Sequence, residues 1–186
     1  MKGSRSVVTG GAGFIGSNLV DHLVKIGHKV IVLDNFVSGK KANLVHHKKK
    51  DVKIIRADIS KSKSLDKYFK RANYVFHLAG LAEIIPSIKN PKKYFNTNVL
   101  GTLKVVEAAK RVGVKKLIYA ASSSCYGSPK NFPTSEKEKI DIKHPYGLTK
   151  FLGEQIVLNY ATNFNMPNIS FRFVNVYAPR LNMSGQ

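Results

Sequence analysis

The feature that most constrains the fold is a glycine-rich segment near the N-terminus, VVTGGAGFIGSNL at residues 7–19. The β-branched run before it is typical of a buried strand, and the apolar positions after it recur at helical spacing. Gly10, Gly13 and Gly16 permit a tight turn, close approach of the backbone to a ligand and close packing of helix on strand. The helix N-terminus that follows can receive a phosphate group. The segment therefore predicts an α/β fold that binds a dinucleotide at its first turn.

The rest of the chain continues this alternation of strands and helices. Strands are predicted at residues 6–10, 29–34, 52–58, 74–80, 115–123 and 168–175, and helices at 14–25, 62–71, 94–112 and 146–164. Near-continuous apolar strands separated by helices favour a parallel sheet that is covered on both faces. We expect a doubly wound sheet, the Rossmann fold, with strand order 3-2-1-4-5-6.

The charge of the chain is unusual. Its 186 residues carry 31 Lys and Arg against 11 Asp and Glu, a net charge of +20. Such an excess can indicate nucleic-acid binding. However, the lysines are dispersed and are not interleaved with the aromatic residues that single-strand binders use for stacking. We interpret them as a solvated surface that also attracts anionic ligands, and we regard nucleic acid as an unlikely partner.

Cysteine and histidine usage gives little indication of other chemistry. Cys125 is the only cysteine, so no internal disulfide forms, and no apolar run is long enough to span a membrane. Without a secretory signal, the expected location is the cytoplasm. Cys125 is interpreted as a small packing residue. His46 and His47 have no evident metal-binding partner in the sequence and are interpreted as surface residues.

Two acidic residues end predicted strands. Asp34 closes the second strand, where a carboxylate can accept hydrogen bonds from both hydroxyls of an adenosine ribose and would repel a 2′-phosphate. This favours NAD over NADP, although Lys40 and Lys41 follow closely. Asp58 ends the third strand and is expected either near the adenine or as a cap of the strand end.

A tyrosine, a lysine and a serine cluster are the candidate catalytic residues. Tyr146 and Lys150 are four residues apart on a predicted helix and therefore share one face. A free tyrosine is a poor base at neutral pH, but a neighbouring ammonium group favours its phenolate. Ser122, Ser123 and Ser124 follow the fifth strand, at the sheet edge where ligands bind in doubly wound folds. Taken alone, the tyrosine–lysine spacing arises often by chance, and the serines could simply cap the sheet.

Seven features in order carry a resemblance to a known family: TGGAGFIG (9–16), Asp34, HLAG (77–80), NTNVLGT (96–102), SSSCYG (122–127), PYGLTK (145–150) and RFVNVYAPR (172–180). Together they resemble the extended short-chain dehydrogenase/reductase family along essentially the whole chain. The similarity is greatest to its nucleotide-sugar epimerases and dehydratases, especially the UDP-glucose and UDP-N-acetylglucosamine 4-epimerases.

The resemblance implies roles for specific residues. Tyr146 would be the base, Ser122 the catalytic hydroxyl, and Lys150 would orient the nicotinamide ribose and lower the tyrosine pKa. Ser123, Ser124 and Asn175 would contact the substrate, Asn175 at its diphosphate. NAD would be held by Gly10, Gly13, Phe14, Ile15, Gly16, Asp34, Asn35, Asp58, Ile59, Leu78, Ala79, Gly80, Asn98, Tyr146 and Lys150.

The serine cluster favours one reaction within that family. The 4,6-dehydratases follow the catalytic hydroxyl residue with Asp-Glu, and the decarboxylases carry a glutamate two residues after it. This chain has Ser123 and Ser124 instead. The pattern favours epimerisation at C4 of a UDP-hexose or UDP-N-acetylhexosamine through a transient 4-keto sugar. A 4,6-dehydratase and a non-catalytic NAD-binding fragment remain alternatives. Ala82 and Ala178 depart from the family pattern, and an alanine at 178 would be strained if its φ were positive.

The resemblance also implies a domain organisation. Residues 1–177 would form the NAD-binding domain with its catalytic residues, and residues 178–186 the start of a substrate-binding region that is largely missing. Activity is therefore expected to be impaired by truncation. The family resemblance further implies a homodimer through helices 94–112 and 146–164, and a role in polysaccharide biosynthesis.

Overall fold

Six parallel strands form one sheet within residues 3–129 and 131–181, the part of the chain that this computed structural model describes. The strands are β1 (Arg5–Thr9), β2 (Lys29–Asp34), β3 (Val52–Arg56), β4 (Tyr74–His77), β5 (Lys116–Ser122) and β6 (Asn168–Phe173). Their order is β3-β2-β1-β4-β5-β6, which confirms the predicted topology. Successive strands are added on one side of β1 up to β3 and on the other side from β4 onward, and such folds bind ligands at this switch between β1 and β4.

Helices cover both faces of this sheet. They are α1 (Phe14–Lys25), α2 (Asp66–Phe69), α3 (Ile84–Lys89), α4 (Pro91–Tyr94), α5 (Gly101–Val112) and α6 (Pro145–Phe164). A π-helical turn, Phe95–Leu100, connects α4 to α5, and 3₁₀ turns form at Lys41–Leu44 and Ser123–Tyr126. None of the helices described is both long enough and apolar enough to cross a membrane.

The core consists of two apolar layers, one on each face of the sheet. Val7 and Val8, adjacent in β1, are both fully buried, and they belong to different layers because successive strand residues point to opposite faces. Val7 packs in the layer that contains Leu117 and residues of α5 and α6. Val8 packs in the layer that contains Val20 of α1. Burial on both faces explains the near-continuous apolar strands of the sequence.

Several predicted elements are shorter than expected, among them β3, which ends at Arg56 rather than at residue 58, and β5, which spans Lys116–Ser122 rather than 115–123. The predicted helix 62–71 is wrong except for the single turn of α2, because serines before it bond the backbone instead: Ser62 Oγ donates to Asp58 O, and Ser64 Oγ accepts from Asp66 N. Strand β4 ends at His77 rather than at residue 80, and β6 ends at Phe173 rather than at 175. In addition, the sequence analysis did not predict helix α3.

Two residue-level interpretations also change. His46 and His47 are not isolated surface residues, since the Nε2 atoms of both lie within hydrogen-bond distance of Asp21 Oδ1, and the His47 side chain is only 8% exposed. Ala178 is not among the non-glycine residues with positive φ in the described chain, so alanine is not strained there. Cys125 is buried, and burial raises the pKa of its thiol.

Candidate functional site

A cleft of about 280 Å³ opens at the carboxyl ends of β1, β2 and β4. The structure brings most of the predicted cofactor residues together there: Gly10, Gly13, Phe14, Ile15, Gly16, Asp34, Asn35, Ile59, Leu78, Ala79 and Gly80. The sequence analysis missed further lining residues: Leu33, Val37, Ser38, Ala57, Leu81, Ala82, Thr97 and Ala120. Half of these, Leu33, Ala57, Leu81 and Thr97, are direct neighbours of predicted residues in the sequence.

The glycine turn after β1 forms a cradle that side chains would fill. Gly10 has a φ of 70°, and a Cβ on it would lie 2.7 Å from the backbone nitrogen of Ala79. A Cβ on Gly16 would collide with the carbonyl oxygen of Gly10. Gly13, the N-cap of α1, provides no side-chain cap, so the first-turn N–H groups of α1 suit an anionic ligand. These features fit the pyrophosphate of a dinucleotide.

Asp34 connects two turns at the cleft. One carboxylate oxygen, Oδ2, accepts the N–H of Ala12 at 2.9 Å, and the other, Oδ1, accepts the N–H of Phe36 at 2.8 Å. The side chain is nearly buried. Because each carboxylate oxygen can accept more than one hydrogen bond, both can still receive a ribose hydroxyl. Asp34 therefore shapes the cleft that it lines, and its contact with an adenosine ribose stays a prediction.

Asp58 acts through a neighbour. Asn35 Nδ2 donates to Asp58 Oδ2 at 3.2 Å, and the N–H and hydroxyl of Ser60 donate to Asp58 Oδ1 at 2.9 and 2.6 Å. Burial alone would raise the pKa of Asp58, but these hydrogen bonds outweigh it and the pKa is lowered. The carboxylate thus stays charged and orients Asn35, which itself lines the cleft.

A chain of buried hydrogen bonds lies under the cleft floor. Ala79 N–H donates to Thr9 Oγ1 at 3.2 Å, and His77 bonds Thr9 Oγ1 through Nδ1 at 2.7 Å and Thr102 Oγ1 through Nε2 at 2.9 Å. Thr102 donates its own hydroxyl proton to Asn98 O at 2.6 Å. It must therefore accept from His77 Nε2–H, which leaves Nδ1 to accept from Thr9. His77 is fully buried, and burial lowers its pKa to about 3, so the ring stays neutral.

Asn98 holds the segment that follows β4. Its Oδ1 accepts the N–H of Leu81 at 2.8 Å, and its Nδ2 donates to Leu81 O at 3.0 Å and to Thr149 Oγ1 at 3.1 Å. Asn98 lies in the π-helical turn between α4 and α5, a form of helix that is frequent at functional sites. Asn98 itself does not line the cleft, and its predicted role in holding NAD stays a prediction.

The catalytic candidates meet at the end of β5. Tyr146 OH donates to Ser122 Oγ at 3.2 Å, and Ser122 Oγ donates to Ser124 Oγ at 3.0 Å. Tyr146 stands in the first turn of α6, whose N-cap is His144: its Nδ1 accepts the N–H of Gly147 at 3.1 Å. The phenol is therefore positioned by a capped helix and linked to a hydroxyl relay.

Lys150 is buried beside these groups. Its Nζ lies 4.5 Å from the ring centroid of Tyr119, and a Cβ on Gly80 of the cleft would lie 3.7 Å from the same Nζ. Burial lowers the pKa of Lys150 to about 8, against an opposing influence of Glu154. The ammonium form thus prevails at neutral pH, although it is unusually costly. The role of Lys150 toward Tyr146 stays a prediction.

The predicted substrate residues fall into two groups. Ser123 lines a cavity of about 730 Å³ together with Arg172 and Phe173, and Ser123 and Ser124 line a smaller one of about 320 Å³ with His144. Asn175 is exposed, lies beyond the end of β6, and is not among the residues that line either cavity. The structure therefore does not bring Asn175 to the other site residues.

The chain is similar to proteins of one family. The NAD dependent epimerase/dehydratase family model matches residues 6–186. A UDP-N-acetylglucosamine 4-epimerase from Methanobrevibacter ruminantium M1, solved with UDP-N-acetylmuramic acid, superposes with a TM-score of 0.92 at 36% identity, over 98% of this chain and 58% of its own. A UDP-glucose 4-epimerase from Thermus thermophilus, solved with NAD, gives a TM-score of 0.88 at 35% identity, over 96% and 57%.

Other relatives carry out a different reaction. UDP-glucuronic acid decarboxylase 2 of Arabidopsis thaliana is 37% identical over 97% of this chain and 40% of its own length. The chain therefore spans about half the length of the relatives it matches.

Proposed function

Because the chain belongs to the NAD dependent epimerase/dehydratase family, we propose that it serves the NAD-dependent epimerisation of a UDP-hexose or UDP-N-acetylhexosamine at C4. The observation that carries the proposal is the bond from Tyr146 OH to Ser122 Oγ, next to Ser124 and the buried Lys150. This arrangement can remove and return a hydroxyl proton, which is what interconversion of an alcohol and a ketone requires.

NAD is the cofactor of this family; when bound, it supplies the acceptor and later the donor of the hydrogen on C4. Tyr146, as phenolate, takes the proton of the C4 hydroxyl, and Ser122 holds that hydroxyl in place. Ser124, bonded to Ser122 at 3.0 Å, orients the serine hydroxyl. Lys150 carries the positive charge that favours the phenolate, and its pKa of about 8 leaves it protonated at neutral pH.

The serine cluster separates this proposal from its alternatives. Elimination or decarboxylation needs carboxyl groups beside the catalytic hydroxyl, and residues 123 and 124 are both serine. The similarity to a UDP-glucuronic acid decarboxylase keeps that reaction class as the second candidate. Two described carboxylates, Glu136 and Glu154, line the same cavity as Ser123. Arg172 and Ser170 already bind Glu154, and Glu136 is exposed to solvent.

We also propose how the chain is organised. Residues 1–177 form the NAD-binding domain, and residues 178–186 begin a region that contacts the sugar nucleotide; residues 182–186 lie outside the described part. Val174, which lines the Ser123 cavity, and Tyr177 are both exposed. Because this side of the cavity is left open, we expect slow turnover by these 186 residues alone. Exposed apolar residues on α3, on the π-helical turn Phe95–Leu100 and on α6 support a homodimer through 94–112 and 146–164.

Turnover tests the proposal. The chain is incubated with NAD and either UDP-galactose or UDP-N-acetylgalactosamine, and the anomeric proton signals are followed by NMR. We expect slow interconversion with the C4 epimer, and a loss of about 10²–10⁴-fold in Tyr146→Phe. Tyr74→Phe, at the amino end of β4, is the matched control and should leave the rate unchanged. Accumulation of a 4-keto-6-deoxy product, or of a UDP-pentose when UDP-glucuronic acid replaces the hexose, would contradict epimerisation, and no conversion over many hours would favour a non-catalytic domain.

A further inference from the structure

Three side chains with metal-ligating atoms, one from α1 and two from the connection between β2 and β3, meet outside the cofactor cleft. The Nε2 atoms of His46 and His47 lie 2.9 and 2.7 Å from the same carboxylate oxygen, Asp21 Oδ1. All three ligand atoms lie within 4.8 Å of one another, and the two imidazole ring centroids are 4.1 Å apart. None of these residues lines the cofactor cleft, so the proposed epimerisation does not use them.

The surrounding fold holds the three residues in place. Asp21 lies in the second half of α1, on a helix whose Val20 and Leu23 are buried in the core. The histidines directly follow the 3₁₀ turn Lys41–Leu44, and Leu44 is buried in the same apolar layer. His47 N also donates to Leu44 O at 3.2 Å. Both ligand-bearing segments are therefore attached to one core layer.

The second carboxylate oxygen has a separate partner. Arg180 donates to Asp21 Oδ2 at 2.6 Å, which leaves Oδ1 directed at the two imidazoles. In known metal sites, a ligating carboxylate commonly receives such an outer hydrogen bond. Two imidazoles and one carboxylate suit zinc and related transition metals, whereas calcium and magnesium prefer oxygen ligands only.

We propose that Asp21, His46 and His47 bind one divalent transition metal ion, with zinc as the best fit and water completing the coordination. A tetrahedral zinc site separates neighbouring ligand atoms by about 3.3 Å, so the present 2.7 and 2.9 Å must widen by about 0.5 Å. The His46 side chain is 50% exposed and the Asp21 side chain 32%, so small rotations of these two can widen both distances while the less exposed His47 stays in place. The bound ion would join α1 to the connection between β2 and β3 and, through Arg180, to the segment after β6.

Zinc affinity tests the proposal directly. The chain, prepared without a polyhistidine tag, is titrated with Zn²⁺ in competition with a chromogenic chelator. We expect one high-affinity ion per chain, and an affinity at least about 10-fold lower in His46→Ala, His47→Ala and Asp21→Asn. His22→Ala is the matched control, since His22 is exposed, adjacent to Asp21 and outside the cluster; it should bind as wild type does.

Two further measurements distinguish the loss of a zinc ligand from unfolding of a variant. His46 is half exposed, so His46→Ala should keep the metal-free unfolding midpoint of wild type, checked by circular dichroism. Co²⁺ should give the visible absorption of a low-coordinate nitrogen and oxygen site in wild type, and this absorption should be absent from His46→Ala. The proposal is overturned if wild type binds Zn²⁺ no more tightly than the His46→Ala/His47→Ala double variant, or if His22→Ala weakens binding equally.

Discussion

At the scale of single residues, the site contains buried groups whose ionisation the fold opposes. Lys150 is 7% exposed and His77 is fully buried, and burial lowers the pKa of each, to about 8 and about 3. Both shifts disfavour the protonated form in the folded state, so each makes stability depend on pH in its own window.

Replacing Lys150 by methionine should stabilise the fold. The folded pKa of about 8 lies below the ordinary 10.5, so the unfolded chain binds more protons between these pH values and stability rises with pH across them. At pH 7 the charged lysine costs about 3 kcal/mol. We expect the free energy of unfolding of Lys150→Met, measured with denaturant at pH 7, to be higher than that of wild type by an amount of that order. Its increase with pH above pH 8 should be absent, and the affinity for NAD should fall. Lys115→Met, at an exposed position, should do neither, and an unchanged stability of Lys150→Met would contradict the burial argument.

His77 should make the fold sensitive to mild acid. Its folded pKa of about 3 lies below the ordinary 6.5, so the unfolded chain binds more protons between these pH values. The contribution of His77 to the free energy of unfolding is therefore complete above pH 6.5 and is lost as the pH falls toward 3. Between pH 6.5 and 5 this loss amounts to about 2 kcal/mol. His77→Gln should be about 1–3 kcal/mol less stable at pH 7, because Thr9 and Thr102 lose a well-placed partner, but its unfolding free energy should change less with pH. An equal pH slope in both proteins would show that other groups, such as the buried His28, set it.

Sequence patterns predicted those site residues that occupy fixed positions relative to a strand or a turn. Gly10 and Asp34 could be identified because a glycine turn and a strand-end acid have fixed positions in a βαβ unit. The hydrogen bonds of His77 could not, because they depend on the register that places β4 beside β1. The interpretation of His46 and His47 was wrong because their partner, Asp21, is about 25 residues away in sequence.

At the scale of elements, a polar network joins α6 to the outermost strand of the sheet. Glu154 of α6, nearly buried, accepts from Arg172 Nε at 3.0 Å and from Ser170 Oγ at 2.8 Å, and Arg172 also donates to Tyr126 OH at 2.7 Å. Strand β6 pairs with β5 along residues 117–122, so this network fixes the strand that ends nearest the serine cluster.

Removing one partner of this network should destabilise the fold more than removing both. Arg172→Met leaves the Glu154 carboxylate buried with fewer partners, and we expect a loss of about 3 kcal/mol in urea unfolding. The double variant Glu154→Leu/Arg172→Met should recover at least half of that loss, because no uncompensated charge remains. Additive losses in the double-mutant cycle would contradict a coupled pair.

Periodicity predicted the long elements and failed at the short ones. Helix α6 was predicted to within one residue at its start, where Pro145 occupies the first turn after the N-cap His144. The predicted helix 62–71 failed because serine side chains satisfy the backbone groups that a helix would use. The π-helical turn at Phe95–Leu100 leaves no clear mark in the sequence, since it depends on packing around Asn98.

At the scale of the whole molecule, the order of the six strands was predicted because alternating strands and helices permit few doubly wound arrangements. The surface was harder to predict, because the sequence shows which helix residues are apolar but not which of them remain exposed to solvent. Ile85, Ile88, Phe95 and Leu100 lie on α3 and the helical segment after it, with between 43% and 67% of each side chain exposed.

These exposed residues lead us to expect a dimer. Sedimentation equilibrium should give a mass of about twice 20.6 kDa for the wild-type chain. Leu100→Glu should shift the equilibrium toward monomer, because a buried unpaired charge is costly at an interface. Val45→Glu, at a more exposed apolar residue in the connection between β2 and β3, is the control and should leave the mass unchanged. A wild-type monomer at high concentration would contradict the proposed interface.

The central claim is that this chain folds by itself into an NAD-binding domain in which Asp34 determines the preference for NAD over NADP. Calorimetric titration of the 186-residue chain with NAD, and separately with NADP, tests it most directly. We predict saturable binding of one NAD per chain and an affinity for NADP at least about tenfold weaker, because the Asp34 carboxylate repels a 2′-phosphate. Binding of neither dinucleotide, or equal binding of both, would contradict the account.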